Sequence, residues 1–218
     1  MNRQICFGAL VVLSVAPRAC PPWTVRPIGS KSQTLQQVSP VNNPAAYVDS
    51  IWASRLIPAV MSSAVDAPAL LEALRKSPEE AQKQYGHRET GGPVYFVVKG
   101  QGRVTAVNAT SRVGVAMVDL PPFDGRPDVS IQIGPVLRGT SLRDATGLVR
   151  FTDFVNQLQY ADAGNELNER VLKTVLSSLD GSALRGARVS FVGTCAADSN
   201  AEPSLRDLIP VQLKLEDR

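Results

Sequence analysis

The sequence predicts an α+β protein whose main body is an OB-like, partly closed β-barrel, with a helical subdomain ahead of it. Three observations carry this reading. The apolar period switches from helical to strand-like after "GGP" at residues 91–93. The segments that follow run strand, strand, strand, helix, strand, strand, and the first strand is long and interrupted by glycines. In an OB-type barrel that order places a helix between the third and fourth strands, where it plugs one end. An open α+β sandwich is the competing arrangement. A chain of 218 residues with 44% hydrophobic content can build one core plus a satellite, or two small domains sharing an interface.

Residues 1–20 read as an export leader: Arg3 near the start, an apolar run over 5–16, then Pro17, Arg18, Ala19 and Cys20. The run is too short to cross a bilayer, which takes about 20 apolar residues. Cleavage before Cys20, with a lipid on its sulfur, would tether the chain to the inner membrane from the periplasmic side. A cut after Ala16 would leave Pro17 just past the scissile bond. The sequence holds three cysteines, Cys6, Cys20 and Cys195, and no C-x-x-C, so neither a zinc cage nor a thioredoxin-type pair is available. An unacylated Cys20 could pair with Cys195 in an oxidising compartment. Cys195 by itself reads as a small buried hydrophobe. Residues 21–42 are polar and aperiodic, as in a flexible tether, and the 28–42 stretch alone extends to roughly 50 Å.

The helical subdomain is read over 43–90. Asn43 and Pro44 form an N-cap and first helical position, and Tyr47, Val48, Ile51, Trp52 and Leu56 recur as one stripe until Pro58 bends or ends the helix. Asp66, Ala67 and Pro68 open a second helix with Leu70, Leu71 and Leu74 inward. "SPEE" at 77–80 has the residues of a capping box for a third, which stops at Gly86.

The barrel is read over 91–218. "VYFVVKGQGRVTAV" (94–107) is a long strand that can bend or bulge at Gly100 and Gly102. "RVGVAMV" (112–118) is apolar on both faces, and "DVSIQI" (128–133) alternates, with Val129, Ile131 and Ile133 inward and Asp128, Ser130 and Gln132 outward. A long helix spans 152–180 with a break near Gly164. Its buried stripe is Phe154, Val155, Leu158, Leu167, Val171, Leu172, Val175, Leu176 and Leu179. "RVSFVG" (188–193) and "IPVQLKLE" (209–216) close the chain, the latter with Ile209, Val211, Leu213 and Leu215 on one side.

The net charge of +3 is dispersed, without the basic blocks of a nucleic-acid or membrane-surface patch. The second and third strands offer Gly114, Ala116, Ser130 and Gln132 rather than an aromatic ladder, so a nucleic-acid partner is not expected. His87 is the single histidine, in a glycine-rich turn beside Arg88 and Glu89, and reads as solvated; no metal or cofactor is expected. The densest polar stretch, 134–157, holds Arg138, Arg143, Asp144, Arg150, Asp153, Asn156 and Gln157. Forked guanidiniums, carboxylates and amides can hold a small hydroxylated or carboxylated ligand. They can equally form an internal network, with Arg138 paired to Asp144 and Asp153 near a helix start.

"AAYVDSIWASRLIPAV", "QKQYGHRETGGPVYFVVKGQGRVTAV", "SIQIGPVLRGTSLRDA" and "FTDFVNQLQYADAGNELNERV" resemble an uncharacterised bacterial family of predicted periplasmic lipoproteins, from about Trp23 to the C-terminus. The resemblance implies an OB-like domain joined to a helical one, and a gene lying beside those of sugar ABC importers. It transfers no catalytic residue. Relatives carry the lipid-bearing cysteine directly before a "TVxP"-like run, where this chain has Trp23; either Cys20 stands in for it, or the chain is soluble or anchored in the inner membrane by an uncleaved leader. The function expected from all this is non-enzymatic: an exported, membrane-tethered protein assisting a sugar importer by binding a carbohydrate or an importer component. The alternative is a small periplasmic hydrolase using Asp144 or Asp153.

Overall fold

The computed structural model describes residues 41–88, 92–181, 183–197 and 203–216. Cys20, the leader and the tether up to residue 40 lie outside them. Asn43 caps α1 (Pro44–Ile51), its side chain accepting from the Ala46 N–H at 3.1 Å. The helix does not end at Pro58. It widens into a π-helical segment, Trp52–Leu56, in which the Ile57 N–H donates to the Trp52 carbonyl, and continues as α2 (Ile57–Ser63). The wider turn falls just where a proline withholds a donor from the preceding turn and crowds its carbonyls. A two-residue strand, β1 (Val65–Asp66), leads into α3 (Ala67–Lys76). Ser77 then caps α4 (Pro78–Tyr85), accepting from the Glu80 N–H at 3.4 Å, and the short β2 (Gly86–His87) follows.

The barrel strands are β3 (Tyr95–Asn108), β4 (Val115–Asp119), β5 (Val129–Gln132), β6 (Arg188–Ala197) and β7 (Leu205–Glu216). They form a ring in the order β3–β4–β5–β7–β6 that closes where β6 pairs with β3, so the barrel is fully closed. Only β5–β7 is parallel among these pairs. Closure depends on the length of β3, which pairs with β6 from Tyr95 to Arg103 and with β4 from Arg103 to Asn108.

Gly100 and Gly102 serve this bend differently from the sequence reading. The register shift lies further on, between Val104 and Ala106. The glycines allow close approach instead: a Cβ on Gly102 would lie 2.4 Å from Val118 Cγ1, and one on Gly100 would lie 2.8 Å from the Phe191 ring.

Alternation along the strands builds two cores. Inward residues such as Phe96, Val98, Ile131, Phe191 and Leu208 fill the barrel, joined by Leu70, Leu71 and Leu74 of α3. Outward residues Val97, Val192, Ile209 and Val211 make a second apolar face. That face is covered by α1, α2 and the helix between the third and fourth strands, α6 (Gln157–Val171) with its π-helical extension Leu172–Leu176. The expected plug is therefore a different helix: α3 contributes to the barrel core, while α6 roofs the outside. Helices 43–90, read as one subdomain, divide between the two cores.

Three further readings are corrected. The 152–180 helix is a 3₁₀ turn at Phe151–Asp153, then α6, capped by Asn156 Oδ1 accepting from the Gln159 N–H at 3.0 Å. It passes through Gly164 unbroken. The later start takes Val155 out of the helix and rotates Leu158 outward, leaving them 54% and 70% exposed. Gln132 is buried rather than outward, its amide donating to the carbonyls of Arg138 and Asp207 and accepting from the Arg138 N–H. Ala116 faces the barrel core rather than solvent. Cys195 is a free, fully buried thiol, and burial pushes its pKa well above the usual thiol range.

Candidate functional site

The polar stretch folds into one wall of a cleft of about 830 Å³ on the outer, helical side of the barrel. A short helix, α5 (Ser141–Asp144), is pinned to β6 by the Ser141 hydroxyl, which lies 3.0 Å from the Thr194 hydroxyl. This buried pair sets where Arg143 and Asp144 emerge.

Arg143 grips its own neighbour. Its Nε and a terminal nitrogen donate to the two oxygens of Asp144 at 2.6 and 3.0 Å, and its other terminal nitrogen donates to the Tyr160 carbonyl at 3.1 Å. The guanidinium carbon lies 3.7 Å from the Tyr160 ring centroid, and the Tyr160 hydroxyl donates to Asp144 at 2.9 Å. Burial alone would lower the Arg143 pKa, but the bonded carboxylate outweighs it and the net shift is upward, so the guanidinium stays charged. Asp144 is thus an acceptor saturated on one oxygen and engaged on the other. Arg143 retains donor capacity on both terminal nitrogens, since a guanidinium carries five N–H groups.

Tyr95 of β3 also lines the cleft, its hydroxyl 3.2 Å from that of Thr140. Phe151, 48% exposed, forms the rim and packs edge-on against Tyr160 at 5.6 Å. Arg150, Thr152 and Gln157 complete that side, and His87 enters from β2. Gly147 has φ of +64°, and a Cβ there would lie 2.8 Å from the His87 ring, so glycine both permits the turn and leaves room for the imidazole.

A model of the family described as "Predicted periplasmic lipoprotein (DUF2291)" matches residues 10–214. The chain belongs to this family. Among solved structures, the chain is similar to an OB-fold protein from Thermotoga maritima, with 20% identity, a TM-score of 0.65, and coverage of 80% of this chain and 98% of that one. At that identity the likeness establishes the fold: a closed five-stranded barrel with added strands and helices. A search of curated proteins finds no match. Family membership supports a periplasmic location and names no activity.

Within this family member, the seven residues singled out from the sequence take different positions. Arg143, Asp144, Arg150 and Gln157 line the cleft. Asp153 stands behind it, accepting from the Arg150 backbone at 3.2 Å and pairing with its guanidinium at 3.2 Å, and Asn156 is spent as the cap of α6. Arg138 is exposed and does not line the cleft; Asp144 pairs with Arg143 instead of Arg138. His87, Tyr95, Thr140, Phe151 and Tyr160 were not anticipated. His87, read as solvated, is half-buried against Gly147. The glycine-rich context of His87 was the one local signal available; Tyr95 and Tyr160 look like ordinary strand and helix aromatics.

Proposed function

We propose that the chain is an exported, membrane-tethered binding protein that holds a small polyhydroxylated ligand, such as a sugar, in the cleft beneath Phe151, as an accessory to a sugar importer. The observation that carries this reading is the pairing of aromatic and hydrogen-bonding groups in one cavity: Tyr95, Phe151 and Tyr160 with Thr140, Arg143 and Gln157. Aromatic rings offer apolar faces to C–H surfaces, and guanidinium, amide and hydroxyl groups satisfy ligand hydroxyls. A volume of about 830 Å³ falls within the range of small-molecule sites.

The same geometry favours binding over hydrolysis. A carboxylate held by Arg143 and Tyr160 is a poor general base, because its lone pairs are already engaged. Asp153 has its carboxylate turned to Arg150.

A thermal-shift panel of pentoses, hexoses and polyols tests the reading. A ligand at 100 times its Kd adds about 2.7 kcal/mol to the folded state, or a rise of roughly 5–10 °C in Tm for a body of this size. Phe151→Ala should reduce the shift while leaving the unliganded Tm in place, because the ring is half exposed. A flat panel would remove the sugar reading and leave a protein partner as the object of the accessory role.

A further inference from the structure

Charge on the cleft wall is matched pair by pair. Among the described residues, the side chains on the lining that carry a full charge are Arg143, Asp144 and Arg150. Arg143 and Asp144 are joined by two bonds, at 2.6 and 3.0 Å, and both side chains are shielded, 12% and 8% exposed. Arg150 is balanced from behind by Asp153, whose carboxylate accepts from its backbone N–H and from its guanidinium, each at 3.2 Å. Asp153 is itself fixed: its carbonyl accepts from the Val41 N–H at 2.9 Å, beside a parallel pairing of Val41 with Phe154. Each guanidinium therefore comes with its own carboxylate. Tyr95, Thr140, Thr152, Gln157 and Tyr160 add hydroxyls and an amide to the lining, and His87 adds an imidazole.

We infer that the cleft selects uncharged polyhydroxylated ligands over their acidic and amino counterparts. This selectivity rests on the sugar-binding reading above and names the class of sugar. A ligand carboxylate approaching Arg143 meets Asp144 on the same guanidinium, so it must displace a shielded bidentate partner or lie beside a like charge. Displacement would leave Asp144 with the Tyr160 hydroxyl alone. A ligand ammonium approaching Asp144 meets Arg143 in the same way. Either ion would give up its hydration without finding an unmatched counter-charge. A sugar hydroxyl can instead accept from the N–H groups that Arg143 has left over, and the pair stays intact. At Arg150 the same bias is weaker, because its guanidinium is 67% exposed and solvent screens the pair.

Glucose, glucuronate and the glucose derivative with an amine in place of its primary hydroxyl are titrated into the full chain at neutral pH and low ionic strength, together with the matching galactose series. Binding is followed by the side-chain amide signals of Gln157. Within a series the neutral sugar should bind at least about tenfold more tightly than either charged analogue. The preference should persist about one pH unit higher, where an ordinary imidazole is uncharged. Asp153→Asn removes the charge behind Arg150, while the new amide oxygen can still accept from the Arg150 backbone. The variant should bind the uronate about three- to fivefold more tightly than the wild type and the neutral sugar equally well. A uronate or amino sugar that binds the wild type as tightly as its neutral parent would overturn the selectivity, and so would a variant that gains nothing for the uronate. If no neutral sugar binds either protein and the variant alone takes up the uronate, the sugar reading fails while the matched charges stand as the reason acids are refused. If nothing binds either protein, both fall.

Discussion

Phe96 and Val97, Phe191 and Val192, Leu208 and Ile209 are neighbours on the same strands, yet one of each pair enters the barrel and the other supports the helical roof. The two sides obey different rules. The barrel side packs a large apolar core and gains a helix, α3, that brings only aliphatic side chains to it. The roof side mixes its apolar contacts with the Ser141–Thr194 pair, the Arg143–Asp144–Tyr160 cluster and Asn168, whose amide donates to the Gly139 carbonyl at 3.1 Å. Both sides bury apolar cores of similar extent, and the polar groups that line the cleft lie on the outer one. The strands serve both, and so fix the floor of the cleft without lending it polar groups beyond those at their ends.

Substitution can break this contrast. The largest effect belongs inside: Phe191→Ala, at a fully buried ring, should cost about 3–5 kcal/mol in urea unfolding through lost transfer energy and the cavity left behind. If it cost less than 1 kcal/mol, the barrel would not be the stabilising core. Next comes the roof. Asp144→Asn leaves the Arg143 guanidinium with a neutral partner and should cost about 2–3 kcal/mol, with the loss of any ligand-induced Tm shift. An unchanged stability would mean that the pair is solvated and replaceable. The smallest of the three sharpens the contrast within the roof itself: Gly147→Ala should cost about 1–2 kcal/mol, because it strains a left-handed turn and drives a methyl group against His87. Its effect on ligand affinity should exceed that of an alanine at Gly139, where φ is also positive but nothing lies within 4 Å of the added carbon.

The strands and caps were legible because their signals are local. Val129 and Ile131 alternate with Ser130, Asn43 and Ser77 precede prolines, and Leu70, Leu71 and Leu74 lie on one helical face. What could not be read depended on distant partners. Gln132 looks like an outward polar residue until Arg138 and, 75 positions away, Asp207 bury and satisfy it. Leu158 looks like core until Asn156 takes the cap and resets the helical phase. The choice between α3 and α6 as the barrel's plug is not written in either apolar stripe alone, and packing assigns them. The cleft was half legible: Arg143, Asp144, Arg150 and Gln157 crowd one stretch of sequence, whereas His87, Tyr95 and Tyr160 arrive from a short strand, the long strand and a helix. Their joint role exists only in three dimensions.

The Val41–Phe154 pairing has a mechanical corollary. Tension applied at Val41 is borne by the bond between its amide and the Asp153 carbonyl. Asp153 in turn holds Arg150 by backbone and side chain, and Arg150 forms part of the cleft wall. A pull at Val41 would therefore load the cleft wall together with the helical roof, against which Val41 packs.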